Sequence, residues 1–279
     1  MKNIIKKISS NVPINYLVFF SLITIFSKWF ASFYCFPGEN LHLKNILDLE
    51  DIYYFPYILN LLETDFKPTY FVNTIPANYL PIPLFSVIVH SLFYLFFNNY
   101  VFLILEFLSL TIFLFLLFKI FKEINFLDNS AILITILFFS LIELSPYIIM
   151  RLDIISINQN ILSNLYSFRF PRPLITALYF FSSLFLLLKI YKSHLDSSLL
   201  SNLLLGFFLG FTFVSFYYNF IPLGLITIFV LVEKSRFRPR QKIYFFLKNC
   251  VQIFLTFCIT LLPFIFLVFN SEPDFLERM

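Results

Sequence analysis

The sequence predicts an all-α polytopic membrane protein: seven transmembrane helices, a long first external loop and an interfacial juxtamembrane helix. Three observations predict it. Apolar residues make up 59% of the 279 and charged residues only 13%, with a mean hydropathy of +0.85. Apolar runs of about 20 residues, long enough to cross the hydrocarbon core of a bilayer, recur along the whole chain. Between those runs the bases and the acids segregate into alternate segments. The 43 Phe residues read as lipid-facing filler rather than as a binding signature. Cys35, Cys250 and Cys258 have neither disulfide nor metal-site spacing. No nucleotide, zinc or phosphate-loop motif occurs, so no nucleic-acid partner is expected.

In chain order, Lys2, Lys6 and Lys7 precede the first span, 14–36. That run is too long for the core of a signal peptide and is expected to stay as a helix. An external loop over 37–99 follows. Within it, Pro76, Pro81 and Pro83 reverse the chain before a juxtamembrane helix over 82–97. Ser86, His90, Tyr94 and Asn98 recur there every four residues, giving a polar face suited to the outer interface. Charge argues that this helix does not span. If it did, Lys119, Lys122, Lys189, Lys192 and the basic segment 233–242 would all lie outside, against the positive-inside trend.

The remaining spans are expected at 100–121, 130–150, 173–191, 199–217, 219–233 and 243–269. Pro171 and Pro173 open the fourth, where a first-turn proline is tolerated. The fifth and sixth turn on Tyr217, Tyr218 and Asn219. Gly206 and Gly210 form a GxxxG that would admit a close helix neighbour. The whole chain is then one membrane domain, 1–279, with a cytoplasmic N-terminus in the plasma (inner) membrane. Asp48, Glu50, Asp51, Glu63, Asp65 and Asp153 face outward.

Four groups carry candidate chemistry. Lys28, Glu106 and Glu143 are charges inside spans, each about seven residues from the outer end, or roughly 10 Å deep. Such residues pair with one another or face a polar cavity; an interior pair of Lys28 with either glutamate is one reading, an outward-opening pocket the other. Asp48, Glu50 and Asp51 stand within four residues, beside Tyr53 and Tyr54. Neighbouring carboxylates raise each other's proton affinity, which suits a general base; the same three could hold Mg²⁺ or Mn²⁺, or form a solvated acidic loop. Arg169 and Arg172 stand at the outer lip of a span, where guanidinium forks bind phosphate oxygens or pair with Asp153. His90 sits on the polar face of 82–97, where it could face the pocket or only the interface.

This layout resembles the GT-C superfamily of membrane glycosyltransferases, which includes the protein O-mannosyltransferases and the lipid A aminoarabinose transferases. The likeness covers the whole chain: a basic start and one span, a long loop with an acidic pair before tyrosines (Glu50-Asp51-Ile52-Tyr53-Tyr54), Pro-marked juxtamembrane helices from Pro81-Ile82-Pro83, and six further spans. It implies an inverting transfer from a polyprenyl phosphate or diphosphate sugar, with a glycan, lipid or protein as acceptor. Carried over by position, Asp51 or Glu50 would be the base; the order here is Glu then Asp, where several members have Asp then Glu. Many members continue past the seventh span, so a core-only member, a truncated fragment or one half of a split enzyme is expected. The rival expectation is a non-enzymatic lipid-linked glycan flippase or small transporter, although no internal repeat of the transporter kind is evident.

Overall fold

A computed structural model describes residues 2–35, 55–62, 83–151, 165–168, 173–193, 198–236 and 242–269. Among these, every regular element is helical: α1 (Lys2–Cys35), α2 (Phe55–Leu62), α3 (Leu84–Phe97), α4 (Val101–Glu123), α5 (Asp128–Arg151), α6 (Thr176–Lys192), α7 (Leu199–Ser215), α8 (Tyr217–Arg236) and α9 (Lys242–Phe269). Among the described residues, four stretches are long and apolar enough to cross a membrane: Ile14–Ala31, Val101–Glu123, Tyr217–Arg236 and Ile243–Phe266. The chain divides into two compact units. One holds α1, α4, α5 and the 165–168 segment; the other holds α2, α3, most of α6, and α7 to α9.

In the first unit, α1 and α5 each bury one stripe and leave the other side apolar and exposed. Leu17, Ser21 and Ile25 form the stripe on α1, and Ala131, Thr135, Phe139 and Ile142 the stripe on α5, both at helical spacing. The buried serine and threonine hydroxyls donate to carbonyls four residues back, Ser21 to Leu17 and Thr135 to Ala131, so neither leaves a polar group unsatisfied. Outward lie Phe19, Phe26, Phe30 and Tyr34 on α1 and Leu133, Leu137 and Leu141 on α5. Helix α4 is buried on several sides and packs against both. It ends in a Schellman-type cap. Asn125 adopts φ 75°, and the N–H groups of Phe126 and Asn125 donate to the carbonyls of Phe121 and Lys122. The turn returns the chain as α5, and Lys122 Nζ meets Asp128 Oδ1 across it at 2.5 Å. Asn98 takes φ 47° and separates α3 from α4, an αL position that Asn tolerates.

In the second unit, α7 and α9 run parallel at very close approach. A Cβ on Gly206 would lie 2.3 Å from the Ile253 carbonyl oxygen, and one on Gly210 would lie 2.8 Å from Thr260 Cβ. One turn before Gly206, Asn202 Nδ2 donates to Asn249 Oδ1 at 2.6 Å and to Gln252 Oε1 at 2.8 Å. The GxxxG is therefore a real contact face. At the ends of α6 and α8, buried Lys234 donates to the Ile190 carbonyl and to Ser193 Oγ. It thus serves one of the last carbonyls of α6, which lacks an intrahelical partner.

Helix bounds fall within a few residues of the expected spans, with three differences. Helix α1 runs back to Lys2, so the basic start is helical. The break before α8 is the single residue Phe216, at φ −159° and ψ 84°, and Tyr217 to Asn219 already belong to α8. The short helix α2 was not foreseen. Helix α3, with 14 residues, is about 21 Å long, short of the ~30 Å hydrocarbon core. Its polar face, however, turns inward. Ser86 and His90 are buried, while Leu92, Leu95 and Phe96 are exposed. Ser86 Oγ donates to Ser215 Oγ at 3.2 Å, and Ser91 Oγ donates to the Ile58 carbonyl of α2 at 3.1 Å. Neighbours within the unit thus meet Ser86 and Ser91, while Asn98, at the end of that face, is exposed.

The α7–α9 contact gives a direct prediction. Gly206→Leu forces the helices apart at a backbone atom, and overpacking of this kind costs about 1–3 kcal/mol. Thermal unfolding of the purified protein is expected to show a clear fall in Tm. Half-buried Gly224, where an added Cβ meets only Phe220 at 3.9 Å, is expected to accept Ala with little change.

A charged candidate site in the first unit

The first unit brings three intramembrane charges together, and helix direction explains how. Helices α4 and α5 are antiparallel, with Lys122 and Asp128 at one end and Glu106 and Glu143 within electrostatic reach near the other. Helix α1 runs with α5: Phe20 packs on Phe139 at 5.9 Å, and two turns on, Lys28 acts on Glu143. Residues 28, 106 and 143 therefore meet although their sequence positions are far apart.

Lys28 Nζ donates to Glu106 Oε1 at 2.5 Å, with side-chain exposures of 29% and 6%. Trp29 Nε1 donates to Glu106 Oε2 at 2.9 Å. Both carboxylate oxygens of Glu106 are thus held by donors from consecutive residues of α1. Lys28 also lies 4.8 Å from the centroid of the Phe168 ring, a cation–π distance. Within the pair Glu106 is buried and Lys28 is partly exposed.

Glu143 and Tyr166 complete the cluster. Glu143 Oε1 and the Tyr166 hydroxyl are buried and have no hydrogen-bond partner among the described residues. The Tyr166 ring is clamped: Phe113 stacks on it at 4.2 Å, and Phe168 and Phe139 meet it edge-on at 5.8 and 6.0 Å. Burial, and after it the charges of Glu106 and Glu143, raises the Tyr166 hydroxyl well above the ordinary tyrosine range. It therefore remains a protonated donor.

Of the sequence candidates, Lys28, Glu106 and Glu143 come together. His90 belongs to the second unit, where Nδ1 lies 2.9 Å from the Ser86 carbonyl oxygen, and its full burial there fits a packing role. Asp48, Glu50, Asp51, Tyr54, Arg169 and Arg172 lie outside the described residues. Among the described residues, no cluster of three or more His, Cys, Asp or Glu could hold a metal ion, and the suggested Mg²⁺ or Mn²⁺ ligands lie outside them. Sequence reasoning passed over Trp29, Tyr166 and Phe168. A signal for Trp29 was present: it is the single tryptophan of the chain and adjoins the intramembrane lysine. No protein family, curated protein or solved structure matches this chain.

The ion pair yields a stability prediction with a control. Lys28→Met leaves the Glu106 charge buried with only Trp29 beside it, a class of change that costs about 3–5 kcal/mol. Lys28→Met with Glu106→Gln removes both charges and is expected to recover most of that loss. Denaturant or thermal unfolding of the three proteins in one detergent measures the difference.

Proposed function

We propose that the chain is a polytopic glycosyltransferase of the cell envelope, moving a sugar from a polyprenyl phosphate or diphosphate donor to a glycan, lipid or protein acceptor. The observation that carries this reading is the convergence of Lys28, Glu106 and Glu143 near one end of their helices. Ionisable residues at such depth are costly and mark substrate paths or relays. Segment 37–81, with its acids, directly follows the end of α1 that bears Lys28. Those acids therefore enter the chain at the end where the charges gather.

On this reading the chain has seven spans and a cytoplasmic N-terminus in the plasma membrane. Helix lengths and charge support it. Lys119 and Lys122 sit at the end of α4 away from Glu106. In the second unit, Lys234 near the end of α8 contacts the end of α6, which carries Lys189 and Lys192. Each unit thus collects bases at one end, as the positive-inside rule requires of the cytoplasmic side.

The reaction is a single displacement. An acceptor oxygen bonds to the anomeric carbon as the bond from that carbon to the phosphate oxygen breaks, its electron pair leaving with the phosphate. Asp51 or Glu50 takes the acceptor proton. Arg169 and Arg172 bind the departing phosphate, stabilising charge as it develops. Tyr54 flanks the sugar. The expected outcome is that Asp51→Asn or Glu50→Gln lowers transfer by at least 100-fold, in the range of a lost general base. Membranes supplied with a radiolabelled polyprenyl phosphate sugar measure it. Undiminished transfer in both variants removes the catalytic assignment. Sugar-lipid movement across the bilayer without transfer favours the flippase.

A further inference from the structure

We infer that Glu143 and Tyr166 form a hydroxyl-binding subsite in the first unit, taking an O–H group of a polyhydroxylated ligand such as a sugar. This rests on the reading of the cluster as facing substrate, and specifies what the substrate presents there.

Glu143 Oε1 is an acceptor and the Tyr166 hydroxyl is a donor, and both are buried without partners among the described residues. Leaving such groups unmade costs about 1–3 kcal/mol each. The Tyr166 ring packs edge-on against Phe139, one turn before Glu143 on α5, yet the two groups make no direct hydrogen bond. A group that answers both has to donate to one and accept from the other. A hydroxyl does both through one oxygen. An ammonium group has donors only, so it answers Glu143 and leaves the Tyr166 proton without an acceptor. The neighbouring cation is already engaged, because Lys28 is paired with Glu106, so an anionic group gains little there.

The surroundings suit the same class of ligand. Phe113, Phe139 and Phe168 surround the Tyr166 ring and fix the position of its hydroxyl. A single bound water has the same hydrogen-bonding pattern, so the test must separate a ligand from a water.

The full chain in lipid nanodiscs supplies its own reporter. Trp29 is the only tryptophan and is bonded to Glu106 within the cluster. Octyl glucoside is titrated below its micelle concentration, against octyl tetraethylene glycol ether as a probe with a similar tail and no sugar. The expected result is a saturable change in Trp29 emission with the glucoside alone, at least fivefold weaker in affinity in both Tyr166→Phe and Glu143→Gln. Tyr166→Phe is expected to keep or raise the probe-free Tm, since it removes a buried unpaired hydroxyl, and to lose the Tm gain that the glucoside gives the parent protein. Equal responses to the two probes, or unchanged affinity in either variant, overturn the inference; a water then fills the gap. Asp51→Asn and Glu50→Gln are expected to keep the glucoside response. If they keep it while the parent shows no transfer, the transferase reading falls and the subsite stands. If transfer is present and the response absent, the subsite alone falls.

Discussion

The Lys28–Glu106 ion pair is the constraint from which the first unit follows. Neither residue is tolerable alone among apolar helices, since an isolated charge there costs several kcal/mol. Together, with Trp29 on the second carboxylate oxygen, they satisfy each other and tie α1 to α4. That tie selects which side of α1 faces inward, and the stripe of Leu17, Ser21 and Ile25 follows the same side. Once α4 is held and α5 returns through the Asn125 cap, Glu143 has to enter the same neighbourhood. The unit thus gathers two acids and one base, and a site with spare polar capacity is the consequence.

The second unit coheres by different means. Lipid chains are as apolar as leucine, so burial alone does not drive one membrane helix against another. Helices α7 and α9 instead use small residues and amides: Gly206 and Gly210 permit near-backbone contact, and Asn202 bonds to Asn249 and Gln252. The exposed faces of α8 and α9, with Leu225, Phe229, Phe254 and Ile259 outward, are what a helix presents to lipid. Stability in this unit lies in shape and hydrogen bonding, and the first unit adds electrostatics.

Much of this was legible in the sequence. Periodicity and length placed α4, α5 and α9 within about two residues at most ends, because each is a long apolar run bounded by charge or by turn residues. Lys28, Glu106 and Glu143 were conspicuous for a physical reason: a charge in a hydrophobic run has few acceptable explanations. The GxxxG was visible but ambiguous, since small-residue spacing does not reveal which helix approaches. The inward turn of Ser86 and His90 was not legible, because a polar face looks the same whether it meets water or a neighbouring helix. Tyr166 was missed because nothing local shows that a short loop segment is clamped between Phe113 and Phe139, residues from two different helices. The carboxylates and arginines of the proposed chemistry rest on sequence pattern, and the described helices contribute the charged cluster.

The central claim is that this cluster opens to one side of the membrane, the side that carries residues 37–81. Single-cysteine variants at position 28, carrying Glu106→Gln so that no charge is left unpaired, and at position 122, in a background with Cys35, Cys250 and Cys258 replaced, can be treated in sealed, oriented vesicles with a charged, impermeant maleimide. The account predicts that position 28 reacts only from the face bearing residues 37–81 and position 122 only from the opposite face. Reaction of position 28 from both faces, or of both positions from the same face, would contradict it.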